Sequence, residues 1–183
     1  MRHLEQTIKQ PEAIEPFSPM TEQRIEMLSD KILEGIQQGA TFKDMYDISS
    51  DAMEAIYAHA YDFYQQGRLN EAESLFRLLC IYDFHNADYA LGLGAVFQLK
   101  KHYSKALDVF ALAYTLSGGD SRAMLYAGEC NLLLRRLGKA KRCFESVLEG
   151  EADARLKSKA EGYLEAINSA SGEAAQTERR EVT

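Results

Sequence analysis

Three phenylalanines, Phe76, Phe110 and Phe144, stand 34 residues apart, and Ala72, Ala106 and Ala140 keep the same spacing four residues before them. Leu79, Ala113 and Val147 follow in register. Upstream, Ala60 aligns with Gly94 and Gly128, and Leu69 with Tyr103 and Leu137. A chain that repeats at this period builds one supersecondary unit several times over, because a unit so short cannot bury its own apolar face and must stack on its neighbours. The spacing inside each unit is helical: Ala72, Leu75, Phe76 and Leu79 fall on one stripe.

The pattern resembles the tetratricopeptide repeat, in which small residues let two antiparallel helices approach and a phenylalanine fills the space between neighbouring pairs. The units read 53–86, 87–120 and 121–154. Ile56, Ala90 and Met124 replace the tryptophan often found near the start, Asn131 stands where Phe63 and Phe97 stand earlier, and the closing proline is missing from all three. In unit one the spacing predicts a first helix from Met53 to Gln66, with Asp51 as N-cap and Glu54 in capping-box register, ended by Gly67. A second helix is expected over Asn70 to Tyr82. The only prolines, Pro11, Pro16 and Pro19, lie in the first twenty residues, so the fold class is all-α.

Three bare units would leave apolar ends, and the flanks are expected to cover them. Thr21 can cap a helix through Gln38 bearing Ile25, Leu28, Ile32 and Ile36, broken by Gly39; residues 21–52 form this N-terminal helical region. Leu156, Ala160, Tyr163, Leu164 and Ile167 mark a C-terminal capping helix over 155–168. Residues 1–20 and 169–183 read as disordered tails.

Net charge −7 over 183 residues opposes direct binding of nucleic acid. No apolar run reaches the roughly 20 residues of a membrane span, and the N-terminus lacks the apolar core of a secretory signal, so a cytoplasmic protein is expected. Cys80, Cys130 and Cys143 form no C-x-x-C pair and read as buried thiols. His3, His59, His85 and His102 lack metal-ligand spacing, Gly92-Leu93-Gly94 and Gly118-Gly119 lack the setting of a phosphate loop, and Ser117 has no nucleophile elbow. No catalytic site, metal or cofactor is expected.

The segments Tyr57-Ala58-His59-Ala60-Tyr61-Asp62-Phe63-Tyr64-Gln65-Gln66-Gly67-Arg68-Leu69 and Phe76-Arg77-Leu78-Leu79-Cys80-Ile81-Tyr82-Asp83-Phe84-His85-Asn86-Ala87-Asp88-Tyr89 closely resemble the class II chaperones of bacterial type III secretion systems. The resemblance runs from about Met27 to Ile167. It implies a cytoplasmic, often dimeric chaperone that keeps hydrophobic, pore-forming translocators soluble until export, gripping a short client segment with prolines and a leucine in the concave face of the repeats. The alternative is a regulatory repeat protein that partners a transcription activator.

The first helix of each unit would line that face. In unit one the candidates are Tyr57, Tyr61 and Tyr64, spaced by four and then three; the matching positions are Leu91, Ala95 and Gln98, then Leu125, Glu129 and Leu132. By pattern alone such a stripe fits core packing better. The resemblance implies the groove for the three tyrosines, whose rings would take a proline or leucine while the hydroxyls meet a client backbone. Leu125 and Leu132 stay open between the two readings. Ile25, Leu28, Ile32 and Ile36 are candidates for homodimerisation or for capping the array. The basic run Arg135-Arg136-Leu137-Gly138-Lys139-Ala140-Lys141-Arg142 reads as a solvated turn and outer face, or else as a docking patch for an acidic partner. The proline-rich segment from Pro11 to Pro19 loosely resembles the client segment and would then compete for the groove or for that of a dimer mate.

Overall fold

The computed structural model describes residues 22–181, with side chains at positions 26, 27, 29, 30 and 32–170. Among these residues nine helices follow one another: α1 (Glu22–Gln37), α2 (Phe42–Met45), α3 (Ser50–Gln65), α4 (Leu69–Tyr82), α5 (Ala87–Leu99), α6 (Tyr103–Ser117), α7 (Ser121–Leu133), α8 (Leu137–Glu149) and α9 (Ala154–Glu181). Helix α1 belongs to a unit ending at Gly39, and Ala40 opens a second. Gly39 ends α1 by taking a φ of 80° while its N–H donates to the Ile36 carbonyl. The expected cap, Thr21, lies outside the described residues, as do the side chains of Ile25 and Leu28 and the proline-rich segment.

Helix α2 was not foreseen, although its signal is local. Thr41 Oγ1 accepts from the Asp44 N–H while the Thr41 N–H donates to the Asp44 carboxylate at 2.8 Å, a capping box around one turn. The Thr41 hydroxyl also donates to the Asp44 carboxylate at 2.6 Å, and this bond, with that from the Thr41 N–H, holds the Asp44 carboxyl below its ordinary range. Helix α3 starts at Ser50, earlier than the expected Met53, because Ser49 rather than Asp51 caps it, accepting from the Ala52 N–H at 3.2 Å. Asn86, Asp120 and Asp153 cap α5, α7 and α9 in the same way.

The second helix of each repeat has no side-chain cap. It is launched by a three-residue turn, 66–68, 100–102 or 134–136, whose middle residue is left-handed: Gly67 at φ 73°, Lys101 at 61° and Arg135 at 57°. Backbone N–H groups of Arg68, His102 and Arg136 reach back to the carbonyls of Phe63, Phe97 and Asn131, closing the preceding helix. Only unit one has the glycine this geometry favours; Lys101 and Arg135 carry a steric cost.

Such short turns make each pair antiparallel. Along the array α3 touches α5, α5 touches α7 and α7 touches α9, with no comparable contact among α4, α6 and α8. Helices α3, α5, α7 and α9 therefore form one continuous inner wall and α4, α6 and α8 the outer layer, which is how a tetratricopeptide array acquires a concave face. Phe76, Phe110 and Phe144 are buried with Ala72, Ala106 and Ala140. A Cβ on Gly94 would stand 2.5 Å from the Phe110 ring, and one on Gly128 would collide with Phe144, so these glycines admit the rings. Unit one differs. Ala60 stands at the equivalent position, and the Phe76 ring presses against Gly92 of the next unit.

The closing helix, α9, runs to Glu181, past the end expected near Asn168. The residues beyond Ser169 include alanine, glutamate, glutamine and arginine with no proline, so local propensity favours continuing the helix. Its first half buries Ala160 and Ile167 in a cluster with Phe144 and Val147.

Relief of the left-handed strain gives a direct test: Lys101→Gly is expected to raise unfolding free energy by about 1 kcal/mol in urea denaturation. A loss of stability would show that Lys101 sits there without strain.

Candidate functional site

The inner wall opens into a cleft of about 430 Å³ lined by Tyr57, Tyr61 and Tyr64 of α3, by Leu91, Gly92 and Ala95 of α5, and by Tyr126 of α7. Its floor is Phe76, brought there because Gly92 has no side chain in the way. Tyr57 stands edge-on to Phe76 at 5.8 Å between ring centroids and lies 5.6 Å from Tyr89. The rings of Tyr61 and Tyr64 are stacked at 6.1 Å. Tyr61 is 47% exposed, whereas Tyr57 and Tyr64 are half-buried. Burial pushes the Tyr57 and Tyr64 hydroxyls above the ordinary phenol range, helped by Asp88 for Tyr57 and by Tyr126 for Tyr64, so both stay protonated donors at neutral pH.

At the mouth, Arg122 donates to Asp88 at 2.8 Å and also pairs with Asp120. The Asp88 pair is half-exposed and contributes little to stability, roughly 0 to 1 kcal/mol. It does place one charge of each sign beside an otherwise aromatic cavity. A second cleft of about 340 Å³ continues past Tyr57 and Asp88 toward Lys43, Glu54 and Asp83. The surface thus offers apolar rings, phenolic donors and scattered charges along a track, a set suited to an extended peptide rather than to bond-making chemistry. The thiols lie elsewhere in the fold, and burial pushes Cys80 up to about 11 and Cys130 up to about 12.

Five of the nine candidate groove residues meet in this cleft: Tyr57, Tyr61, Tyr64, Leu91 and Ala95. The other four do not. Gln98 donates to Glu129 at 2.9 Å, and Glu129 also accepts from the Tyr163 hydroxyl at 3.0 Å and pairs with Lys159 at 2.6 Å. Leu125 is 1% exposed and packs with Phe144 and Val147, and Leu132 joins the edge of that cluster. Leu125, Glu129 and Leu132 share one neighbour, α9, which lies against α7. Tyr163 of α9 stacks on Phe144 at 4.8 Å and completes the seal.

Asp88, Gly92, Arg122 and Tyr126 line the cleft without having been expected in the groove. The period carried a usable signal, since Arg122 follows Asp88 by 34 residues and Tyr126 follows Gly92 by the same step. On α1, Ile32 is half-buried, whereas Met27, Leu33 and Ile36 are exposed.

The tetratricopeptide repeat family matches residues 53–86 and 88–117. Chaperone protein SicA of Salmonella typhimurium is 48% identical over 156 residues, covering 85% of this chain and 94% of SicA. The chain belongs to the type III secretion translocator chaperones. Among solved members of this family, the Yersinia enterocolitica type III secretion chaperone SycD in complex with a peptide of the translocator YopD superposes with a TM-score of 0.63 at 30% identity, covering 66% of this chain and 95% of that one. PcrH in complex with the chaperone binding region of PopD gives 0.64 at 31%, covering 68% and 96%. No helix among the described residues of this translocator chaperone is long and apolar enough to cross a membrane.

Assignment of Leu125 to the core rather than the groove is checked by truncation. Leu125→Ala is expected to lower unfolding free energy by about 2 to 5 kcal/mol in chemical denaturation; near-neutrality would return the residue to the groove.

Proposed function

We propose that this chaperone holds an extended, partly apolar segment of a type III secretion translocator in the tyrosine cleft and keeps that client soluble until export. The observation that carries the reading is the cleft itself, where three tyrosines from one helix stand over the Phe76 floor made reachable by Gly92. A client proline or leucine would enter between rings, while the protonated phenols donate to client carbonyls. Aromatic side chains lose few rotamers on binding, so modest contact area yields usable affinity. The peptide complexes of SycD and PcrH support the same use of the array here.

Tyr61→Ala separates recognition from folding, because Tyr61 is exposed and packs on little but Tyr64. It is expected to keep the helical circular dichroism and melting temperature while weakening binding of the co-expressed translocator about tenfold, or about 1.4 kcal/mol. The buried Phe110→Ala is the contrasting control and unfolds the array, at a cost of about 3 to 5 kcal/mol. Unchanged client affinity in a folded Tyr61→Ala protein would remove the cleft from the mechanism.

We also propose self-association through α1, whose Met27, Leu33 and Ile36 are 55%, 57% and 43% exposed and would be sheltered in a homodimer. Leu33→Asp with Ile36→Asp is expected to give a monomer by sedimentation velocity. A dimer that survives both changes would place the interface elsewhere.

A further inference from the structure

The third repeat departs from the other two at one buried position. Where α3 and α5 carry Phe63 and Phe97, α7 carries Asn131. The earlier rings are flanked by cations: the Arg68 guanidinium lies 4.2 Å from the centre of Phe63, and Arg77 and Lys105 lie 5.3 and 5.9 Å from Phe97. Asn131 is 5% exposed. Its amide nitrogen donates to the Ala127 carbonyl at 2.9 Å and lies 3.8 Å from Cys143 Sγ, but its Oδ1 is buried without a hydrogen-bond partner. A buried acceptor with no donor is uncommon in folded proteins and calls for a group that completes it.

The exchange of a ring for a short amide coincides with a cleft of about 380 Å³ lined by Met124, Asn131, Lys139, Arg142, Cys143 and Ser146. None of these residues lines the tyrosine cleft. Lys139, Arg142, Cys143 and Ser146 share one face of α8, in the outer layer, and Arg135 and Arg136 lie in the turn just before it. Among the described residues no carboxylate lies within 4.0 Å of these four cations, whereas the neighbouring Lys141 pairs with Glu145 at 3.9 Å. In a chain of net charge −7, a cluster of unpaired cations sets the sign of what it attracts.

We infer that this cleft is a second docking site, for a partner protein segment that inserts a tryptophan or tyrosine flanked by carboxylates. The inserted ring takes the place that Phe63 and Phe97 fill from within the chain. Its N–H or O–H donates to Asn131 Oδ1, which a phenylalanine cannot do, and the flanking carboxylates meet Lys139, Arg142 and the turn arginines. A nucleic acid would also bring rings and negative charge, but the chain's net charge of −7 opposes a long phosphate backbone. The site is independent of the tyrosine cleft, so a chaperone engaged with a client remains open to a second partner.

The test uses the full-length chain and fluorescence anisotropy with a labelled peptide of about ten residues, glutamate and serine around one central tryptophan. This probe is expected to bind at least tenfold more tightly than the same peptide with alanine at the centre. Asn131→Phe, which restores the ring of the other repeats, should weaken it at least tenfold with helical circular dichroism retained, and Lys139→Glu with Arg142→Glu should do the same. Tyr61→Ala should leave it unchanged. Equal binding of the tryptophan and alanine peptides overturns the proposal, as does sensitivity to Tyr61→Ala in place of Asn131→Phe. Tighter binding of a single-stranded oligonucleotide, abolished by the double charge reversal, would assign the site to nucleic acid and also overturn it. Should Asn131→Phe fail to fold, the charge reversal decides alone: unchanged affinity for the tryptophan peptide counts against the site.

Discussion

The contact between a buried phenylalanine and a residue with little or no side chain is the constraint on which the array depends. Phe110 and Phe144 sit where Gly94 and Gly128 leave room for them, and Ala72, Ala106 and Ala140 keep each pair of helices close enough for the rings to bridge them. Because interiors are packed to near-crystalline density, a methyl group in the wrong place moves a ring rather than being absorbed. In unit one Ala60 stands at the equivalent position, and Phe76 leans on the neighbouring unit through Gly92.

The contact of Phe76 with Gly92 joins the fold to the function. With Phe76 against Gly92, an aromatic floor lies beneath Tyr57, Tyr61 and Tyr64, and the cleft forms where the first and second repeats meet. Unit three has Tyr126 at the position of Gly92, and Tyr126 packs on Phe110 at 5.6 Å. The same backbone repeat therefore makes a cavity at one junction and a filled contact at the next. Strain is tolerated in the turns for the same repetitive reason: Lys101 and Arg135 adopt the left-handed geometry of Gly67 because the helix pair closes only through that turn.

Closure at the far end is a second consequence of stacking. An array that ended at α8 would leave the cluster around Phe144 open to water, and α9 covers it with Ala160, Tyr163 and Ile167. The same helix holds Glu129 through Tyr163 and Lys159 and helps to bury Leu125, while the tyrosine cleft is lined from α3, α5 and α7. What unit three keeps available lies on the α8 side, where Asn131 and the unpaired cations stand.

The repeat period, the all-α class, the packing role of the phenylalanines and the tyrosine stripe were legible in the sequence, because each depends on spacing along one helix or on one period of the repeat. Helix starts were less legible, since Ser49 and Asp51 are both competent caps and only the packed register of α3 chooses between them. Depth was not legible at all. Leu91 and Leu125 are the same residue at the same repeat position, yet one lines a cleft and the other is core, because α9 returns to cover the second. Which equivalent residues stay open was decided by the tertiary structure, through the free space left by Gly92 and the end closed by α9; no pattern local to a repeat records either.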